Sequence, residues 1–257
     1  MVVTLVQMDI KWGEADANRS MAETLMINAP KSDIYVLPEM FTTGFVTDPC
    51  EVVKDNGGES VLWMQKVSNQ LDAAVVGSVA IMEDGLYYNR VFFVKPGGDV
   101  VTYDKRHLFT YGGEDKRYTA GADRVIVEWR GVKFLLQVCY DLRFPVFSRN
   151  KLADGDVAEY DCALYVASWP SSRRRVWNVL LQARAIENQS YVVGVNRVGT
   201  DPVCTYNGGT TLVDAYGKVV AVAEDEQQQT VTATLDMESL SRFRKKFPVL
   251  ADGDLKD

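Results

Sequence analysis

The sequence predicts an α/β chain of mixed sheets: a sandwich of strands with helices outside. Three observations predict it. Of 257 residues, 47% are hydrophobic and 25% charged, which supports a sizeable core. Short apolar strand patterns are interspersed with amphipathic helix patterns. The strands come in consecutive pairs interrupted by single helices, unlike the strict alternation of a doubly wound sheet or barrel. No linker, low-complexity tract or repeat divides the chain, so one domain over residues 1–257 is expected.

Val2–Met8 reads as a strand, and Ala17–Asn28 as a helix with Asp16 as its N-cap. Asp33–Leu37 is a short buried strand that ends at Pro38-Glu39. Glu59–Leu71 is helical and Ala73–Met82 a strand. Tyr88–Lys95 and Asp99–Asp104 form a hairpin around Gly97-Gly98. Residues 105–123 make a long polar and aromatic loop, a feature that is usually functional inside a compact domain. Arg124–Trp129 and Val132–Val138 form a second hairpin around Arg130-Gly131. A helix over Phe144–Leu152, a strand over Cys162–Val166 and a helix over Arg174–Asn188 follow. Tyr191–Val195, Gly209–Asp214, Lys218–Ala223 and Thr230–Leu235 are strands, and Met237–Lys246 is the last helix.

Composition excludes several functions. The formal net charge is −7, which repels phosphate backbones, so no nucleic-acid partner is expected, nor an anionic membrane surface. His107 is the single histidine, too few for a His-rich zinc site. The G-x-G-x-x-G, phosphate-loop and G-x-S-x-G patterns are absent. Cys50, Cys139, Cys162 and Cys204 are too sparse for a disulfide scaffold and hold no C-x-x-C pair. The N-terminus lacks a basic region before its apolar run, and no run spans a bilayer. A cytoplasmic protein without metal or cofactor is the expectation.

Cys139 follows the apolar run Phe134–Val138. A thiol on a strand-to-helix turn is exposed at a sheet's carboxyl end and can act as a nucleophile; the alternative is a buried small apolar residue. With histidine scarce, its base can be a carboxylate whose affinity for protons is raised by burial. Glu39 ends a buried strand, where a charge is expensive without a use. Lys105 ends the Asp99–Asp104 strand and can hold positive charge beside a developing oxyanion; alone it could equally be a solvated lysine.

Together these residues sit in LPEMFTTGF, YDKRHLF and VCYDLRFP, which resemble the three signature segments of the nitrilase, or carbon–nitrogen hydrolase, superfamily. The similarity continues through GGEDKRYTAG and LQARAIENQSYVVGVNRVG and covers roughly Val3 to Pro248. It implies a four-layer αββα sandwich of the nitrilase type and a homodimer formed through the segment after Cys139 and the Arg174–Asn188 helix. It also implies a Glu39–Lys105–Cys139 triad, with Glu114 positioning Lys105 and the substrate, and the Tyr140 backbone N–H assisting Lys105 at the oxyanion.

CYDLRFPVFSRN, ALYVASWP and RAIENQSYV resemble the omega-amidase branch. That branch releases ammonia from 2-oxoglutaramate and 2-oxosuccinamate, small anionic amides. Another amidase, carbamoylase or nitrilase activity is the alternative. An acidic chain must bind such a substrate with a local cation. Arg143 can present its fork to a carboxylate or form a salt bridge with Asp141 or Glu187. Trp169 walls the pocket or packs in the core. The run Arg173-Arg174-Arg175 is read as solvated or interface-paired, with substrate contact as the alternative, and Cys50, Cys162 and Cys204 as packing residues.

Overall fold

A computed structural model describes residues 1–51, 53, 56–153 and 157–253. The end of the expected domain, 254–257, lies outside the described residues. The first half contains β1 (Val2–Gln7), α1 (Ala15–Asn28), β2 (Ile34–Val36), α2 (Gly58–Leu71), β3 (Ala74–Glu83), β4 (Leu86–Val94) and β5 (Val100–Asp104). Then come β6 (Ile126–Trp129), β7 (Val132–Val138), α3 (Pro145–Ser148), β8 (Leu152–Ala153), β9 (Val157–Ala158), β10 (Cys162–Ala167) and α4 (Arg174–Asn188). The chain continues with β11 (Tyr191–Asn196), β12 (Val198–Thr200), β13 (Thr205–Asn207), β14 (Thr211–Val213), β15 (Val219–Val222), β16 (Gln229–Thr234) and α5 (Met237–Lys246).

Among the described residues, two six-stranded sheets form, ordered β16-β1-β2-β3-β4-β5 and β15-β14-β11-β10-β7-β6. Both are mixed: β1, β2 and β3 run parallel, as do β7, β10 and β11, while the remaining strands join antiparallel. The period of two sorts side chains between faces. Val3, Leu5, Ile34, Val36, Val76 and Phe93 of the first sheet meet Phe134, Leu136, Val138, Leu164 and Val193 of the second in one apolar layer. On the outer face of the first sheet, Val6, Tyr35 and Val75 pack against Ala22 and Met26 of α1 and Met64 and Val67 of α2. On the outer face of the second, Leu135, Ala163 and Val192 pack against Trp177, Leu181 and Ala185 of α4. This is the four-layer αββα sandwich. No helix among the described residues is long and apolar enough to cross a membrane.

Two expected elements are corrected. The first helix begins at Ala15, so Asp16 lies inside its first turn and Glu14 holds the N-cap position without a side-chain cap bond. Asn18 secures that entry instead, accepting from the Lys11 N–H at 2.8 Å and donating to the Lys11 carbonyl at 2.7 Å. The helix expected over Phe144–Leu152 is the single turn α3. After it, the Asn150 N–H donates to Asn188 Oδ1 at 2.8 Å, and its amide donates to the carbonyls of Tyr160 and Asn188 at 3.0 and 3.1 Å. Those bonds to the end of α4 outcompete continued helix in so short a segment.

Candidate active site

The carboxyl ends of β2, β5 and β7 converge, the usual place for a site in sheets with parallel strands. Glu39 lies just beyond β2, Lys105 follows β5 and Cys139 follows β7. Glu114 opens a short 3-10 turn within the 105–123 loop. That loop returns to the sheet at Gly121, whose N–H donates to the Lys105 carbonyl at 3.0 Å. A side chain at Gly121 would overlap the Asp104 carbonyl, so only glycine allows this closure.

Glu39 and Glu114 are both fully buried, and Lys105 is 1% exposed. Lys105 Nζ donates to Glu39 Oε1 at 2.9 Å and to Glu114 Oε1 and Oε2 at 3.1 and 2.8 Å. Asn89 Nδ2 donates to Glu39 Oε1 at 2.8 Å and to Glu114 Oε1 at 3.1 Å. The Ser168 N–H donates to Glu39 Oε2 at 2.8 Å, and the Phe109 N–H to Glu114 Oε2 at 2.6 Å. Burial alone would strip the Lys105 proton, but the charges of Glu114, Glu39 and Cys139 outweigh it and hold the ammonium well above its ordinary range. Two carboxylates share one ammonium, and burial together with the Glu39 charge pushes Glu114 up against the pull of Lys105.

Cys139 takes the left-handed region at φ 42°, and Met40, next to Glu39, does so at φ 43°. Such backbone costs about 1–3 kcal/mol per residue, so the surroundings must impose it. At Cys139, buried Asp141 imposes it. Its carboxylate accepts from the Val138 N–H at 2.9 Å, the Tyr103 hydroxyl at 2.8 Å and the His107 N–H at 3.0 Å. The His107 ring Nδ1 lies 2.7 Å from the same carboxylate. The turn bearing the thiol is thereby tied to the segment bearing Lys105. Burial and the Glu39 charge push the Cys139 thiol well up, and Lys105 pulls it partly back.

Cys139, Tyr140, Arg143 and Trp169 all line one cavity of about 480 Å³. Tyr140 stands edge-on to Phe109, and its N–H belongs to the first turn of the 3-10 helix Cys139–Arg143, where helix donors lack intrahelical acceptors. Arg143 lies over the Trp169 ring, 5.1 Å from its centre, and forms no ion pair among the described residues. The salt bridges considered for it are taken otherwise: Asp141 serves the turn, and Glu187 binds Arg184 at 2.8 Å. Among the described residues, no group of three or more His, Cys, Asp or Glu side chains could hold a metal ion.

Other placements differ from the sequence reading. Cys162 is buried, but Cys50 is exposed and Cys204 reaches the cavity wall, so neither is a packing residue. Arg173 also faces the cavity rather than solvent alone. Asn89, Phe109 and Ser168 escape the sequence reading, and Asp141 enters it only as a partner for Arg143. Only Asn89 left a local trace, as an amide inside the apolar strand pattern of Leu86–Val94, where asparagine is disfavoured.

The carbon–nitrogen hydrolase family profile matches residues 2–245. The chain belongs to the carbon–nitrogen hydrolase family. It is 44% identical to the omega-amidase YafV of Yersinia enterocolitica, over 98% of this chain and 96% of that protein. It is 31% identical to the 2-oxoglutaramate amidase of Bacillus subtilis, over 97% of this chain and 96% of that protein. A crystal structure of a carbon–nitrogen hydrolase superfamily protein from Xanthomonas campestris superposes with a TM-score of 0.96 at 39% identity, covering 100% of this chain and 98% of that one. That protein carries an arsenic adduct in its active site.

In this hydrolase the Glu39 charge is a main cause of the raised thiol, second to burial. Alkylation of wild-type Cys139 by iodoacetamide is therefore expected to keep accelerating above pH 9.0, the ordinary thiol value. Glu39→Gln removes the charge and leaves the pull of Lys105, so its alkylation profile shifts to lower pH. Rates followed by peptide mass spectrometry from pH 6 to 10 check this; superimposable profiles would contradict it.

Proposed function

We propose that this hydrolase is an omega-amidase that cleaves the terminal amide of short 2-oxo-acid monoamides, 2-oxoglutaramate and 2-oxosuccinamate. The observation that carries the reading is Arg143: a guanidinium without an ion-pair partner, seated on Trp169 in the cavity that Cys139 lines. Such a fork suits a substrate carboxylate. The names of the relatives accord with it. The whole chain is read as one catalytic domain, and its four free cysteines suit a reducing, cytoplasmic setting.

The chemistry follows from the proposed roles. Glu39 takes the Cys139 proton as sulfur attacks the amide carbon. The Lys105 ammonium and the Tyr140 N–H stabilise the oxyanion. Protonated Glu39 gives its proton to the amide nitrogen; the C–N bond breaks, ammonia leaves and a thioester remains. Glu39 then deprotonates a water that attacks the thioester, and the acid departs as the thiol is restored. Glu114 keeps Lys105 charged and oriented throughout. Trp169 holds the plane of Arg143 toward the substrate.

We further infer a homodimer. The outward face of α4 carries Val179, Ala183 and Ile186 at helical spacing, with Val179 54% and Ile186 53% exposed, while Val176 and Leu180 at its margin pack inward. An apolar stripe on a helix already packed inward by Trp177 and Leu181 suits a two-fold contact with a second copy.

Ammonia release tests the function. Wild type is expected to turn over both 2-oxo amides in preference to succinamate, glutamine, a neutral amide and a nitrile. Cys139→Ala should lose activity by about 10⁴-fold or more. Arg143→Ala should raise KM for anionic amides by about 10- to 100-fold and spare neutral ones. Preferred turnover of a neutral amide or nitrile would replace this reading with another nitrilase-type activity. For the dimer, Val179→Glu with Ile186→Glu should halve the mass found by light scattering; an unchanged mass would refute that interface.

A further inference from the structure

Three consecutive cations, Arg173-Arg174-Arg175, enter α4 at its N-terminus, where the helix dipole disfavours positive charge. The structure separates them. Arg174 pairs with Asp225 at 2.9 Å and donates to Asn207, and Arg175 is exposed. Arg173 instead turns into the cavity, its guanidinium 5.3 Å from the centre of the Phe109 ring. Trp169 Nε1 fixes its backbone by donating to the Arg173 carbonyl at 2.9 Å. The face of the same tryptophan carries Arg143. One indole thus positions two guanidinium groups in the cavity of the nucleophile.

Neither guanidinium has an ion-pair partner among the described residues. The acids of the cavity wall are engaged elsewhere. Asp48 lies 3.5 Å from Arg117, and Asp201 accepts from the Val203 and Cys204 N–H groups and the Tyr206 hydroxyl. Two guanidinium groups without ion-pair partners on one cavity suit a ligand that presents an acceptor to each. A single carboxylate needs only one of them. Phe109, the platform for Arg173, also gives its N–H to Glu114, so this second cation borders the Lys105 cluster.

We propose that Arg173 is a specificity-determining residue that reads the 2-position of the substrate, resting on the 2-oxo-acid amide reading above. Arg143 holds the carboxylate, and Arg173 donates to the neighbouring 2-oxo oxygen. A 2-amino acid amide carries an ammonium at that carbon. It loses the hydrogen bond and meets a like charge in a site of low dielectric. Glutamine and asparagine are therefore excluded by Arg173 rather than by pocket shape.

The test uses binding as well as turnover, so that the two readings can fail separately. Binding of 2-oxoglutarate, glutarate and L-glutamate is measured from their protection of Cys139 against iodoacetamide. Wild type, Arg173→Gln and Arg173→Lys are compared. Wild type should bind 2-oxoglutarate at least tenfold more tightly than glutarate, with glutamate weakest. Arg173→Gln should bring 2-oxoglutarate and glutarate within about threefold and narrow the gap to glutamate. Arg173→Lys should still reject glutamate while losing part of the 2-oxo preference, and it carries the test if the glutamine variant does not fold. Equal weakening of 2-oxoglutarate and glutarate, or unchanged ratios, would overturn the proposal. Arg173-dependent selectivity without ammonia release from 2-oxoglutaramate would uphold Arg173 and reject the amidase reading. Ammonia release without that selectivity would reject Arg173 alone.

Discussion

The site depends on one buried charge. Lys105 places an ammonium where water does not reach, an expense of several kcal/mol that only well-placed partners offset. Those partners are Glu39 and Glu114, which contact it at 2.9 and 2.8 Å. The same contacts that keep the lysine charged fix the position of its ammonium and admit two carboxylates that would otherwise be excluded from the interior. Asn89 donates to both acids and fixes their separation. Removing Lys105 strands both carboxylates, and removing either carboxylate takes away part of what offsets the buried ammonium, so the members depend on one another.

The sandwich makes this arrangement reproducible. Glu39 and Lys105 leave the first sheet, and Cys139 leaves the second. Their spacing is set by the apolar layer between the sheets, which resists sliding because its side chains interdigitate. Polar links then lock the two sheets together at their carboxyl ends. Asp141, on the turn after β7, binds Tyr103 of β5, and the Ser168 N–H, just beyond β10, binds Glu39, beyond β2. The strained backbone at Cys139 is held by these links, which place the residue in the lining of a cavity that also carries aromatic side chains and two arginines.

Much of this was legible in the sequence. The helix over Arg174–Asn188 has the expected limits because its apolar spacing is strong and long. The two expected hairpins turn at Gly97-Gly98 and Arg130-Gly131, where positive φ is required and adopted, while a third at Asp84-Gly85 escapes the sequence reading. The ordered motifs singled out Glu39, Lys105, Glu114 and Cys139, and the fold brings these four together. What stayed hidden is tertiary in origin. The short helix after Cys139 stops where Asn150 finds partners on α4, far away in sequence. The β12–β13 hairpin is too short for a periodic signal, yet the loop at its tip carries Asp201 and Cys204 to the cavity. Arg173 read as one of three similar cations, and only the fold distinguishes it from its neighbours.

The interdependence of the buried charges is tested most directly by a double-mutant cycle on Lys105 and Glu114. Unfolding free energies in urea are measured for wild type, Lys105→Met, Glu114→Gln and the double variant. Lys105→Met alone should cost about 3–5 kcal/mol, since it strands two buried carboxylates. The double variant should be more stable than the sum of single losses allows, by about 1–3 kcal/mol, and still lack amidase activity. Additive losses, or an active Lys105→Met enzyme, would contradict the dependence of the site on that one ammonium.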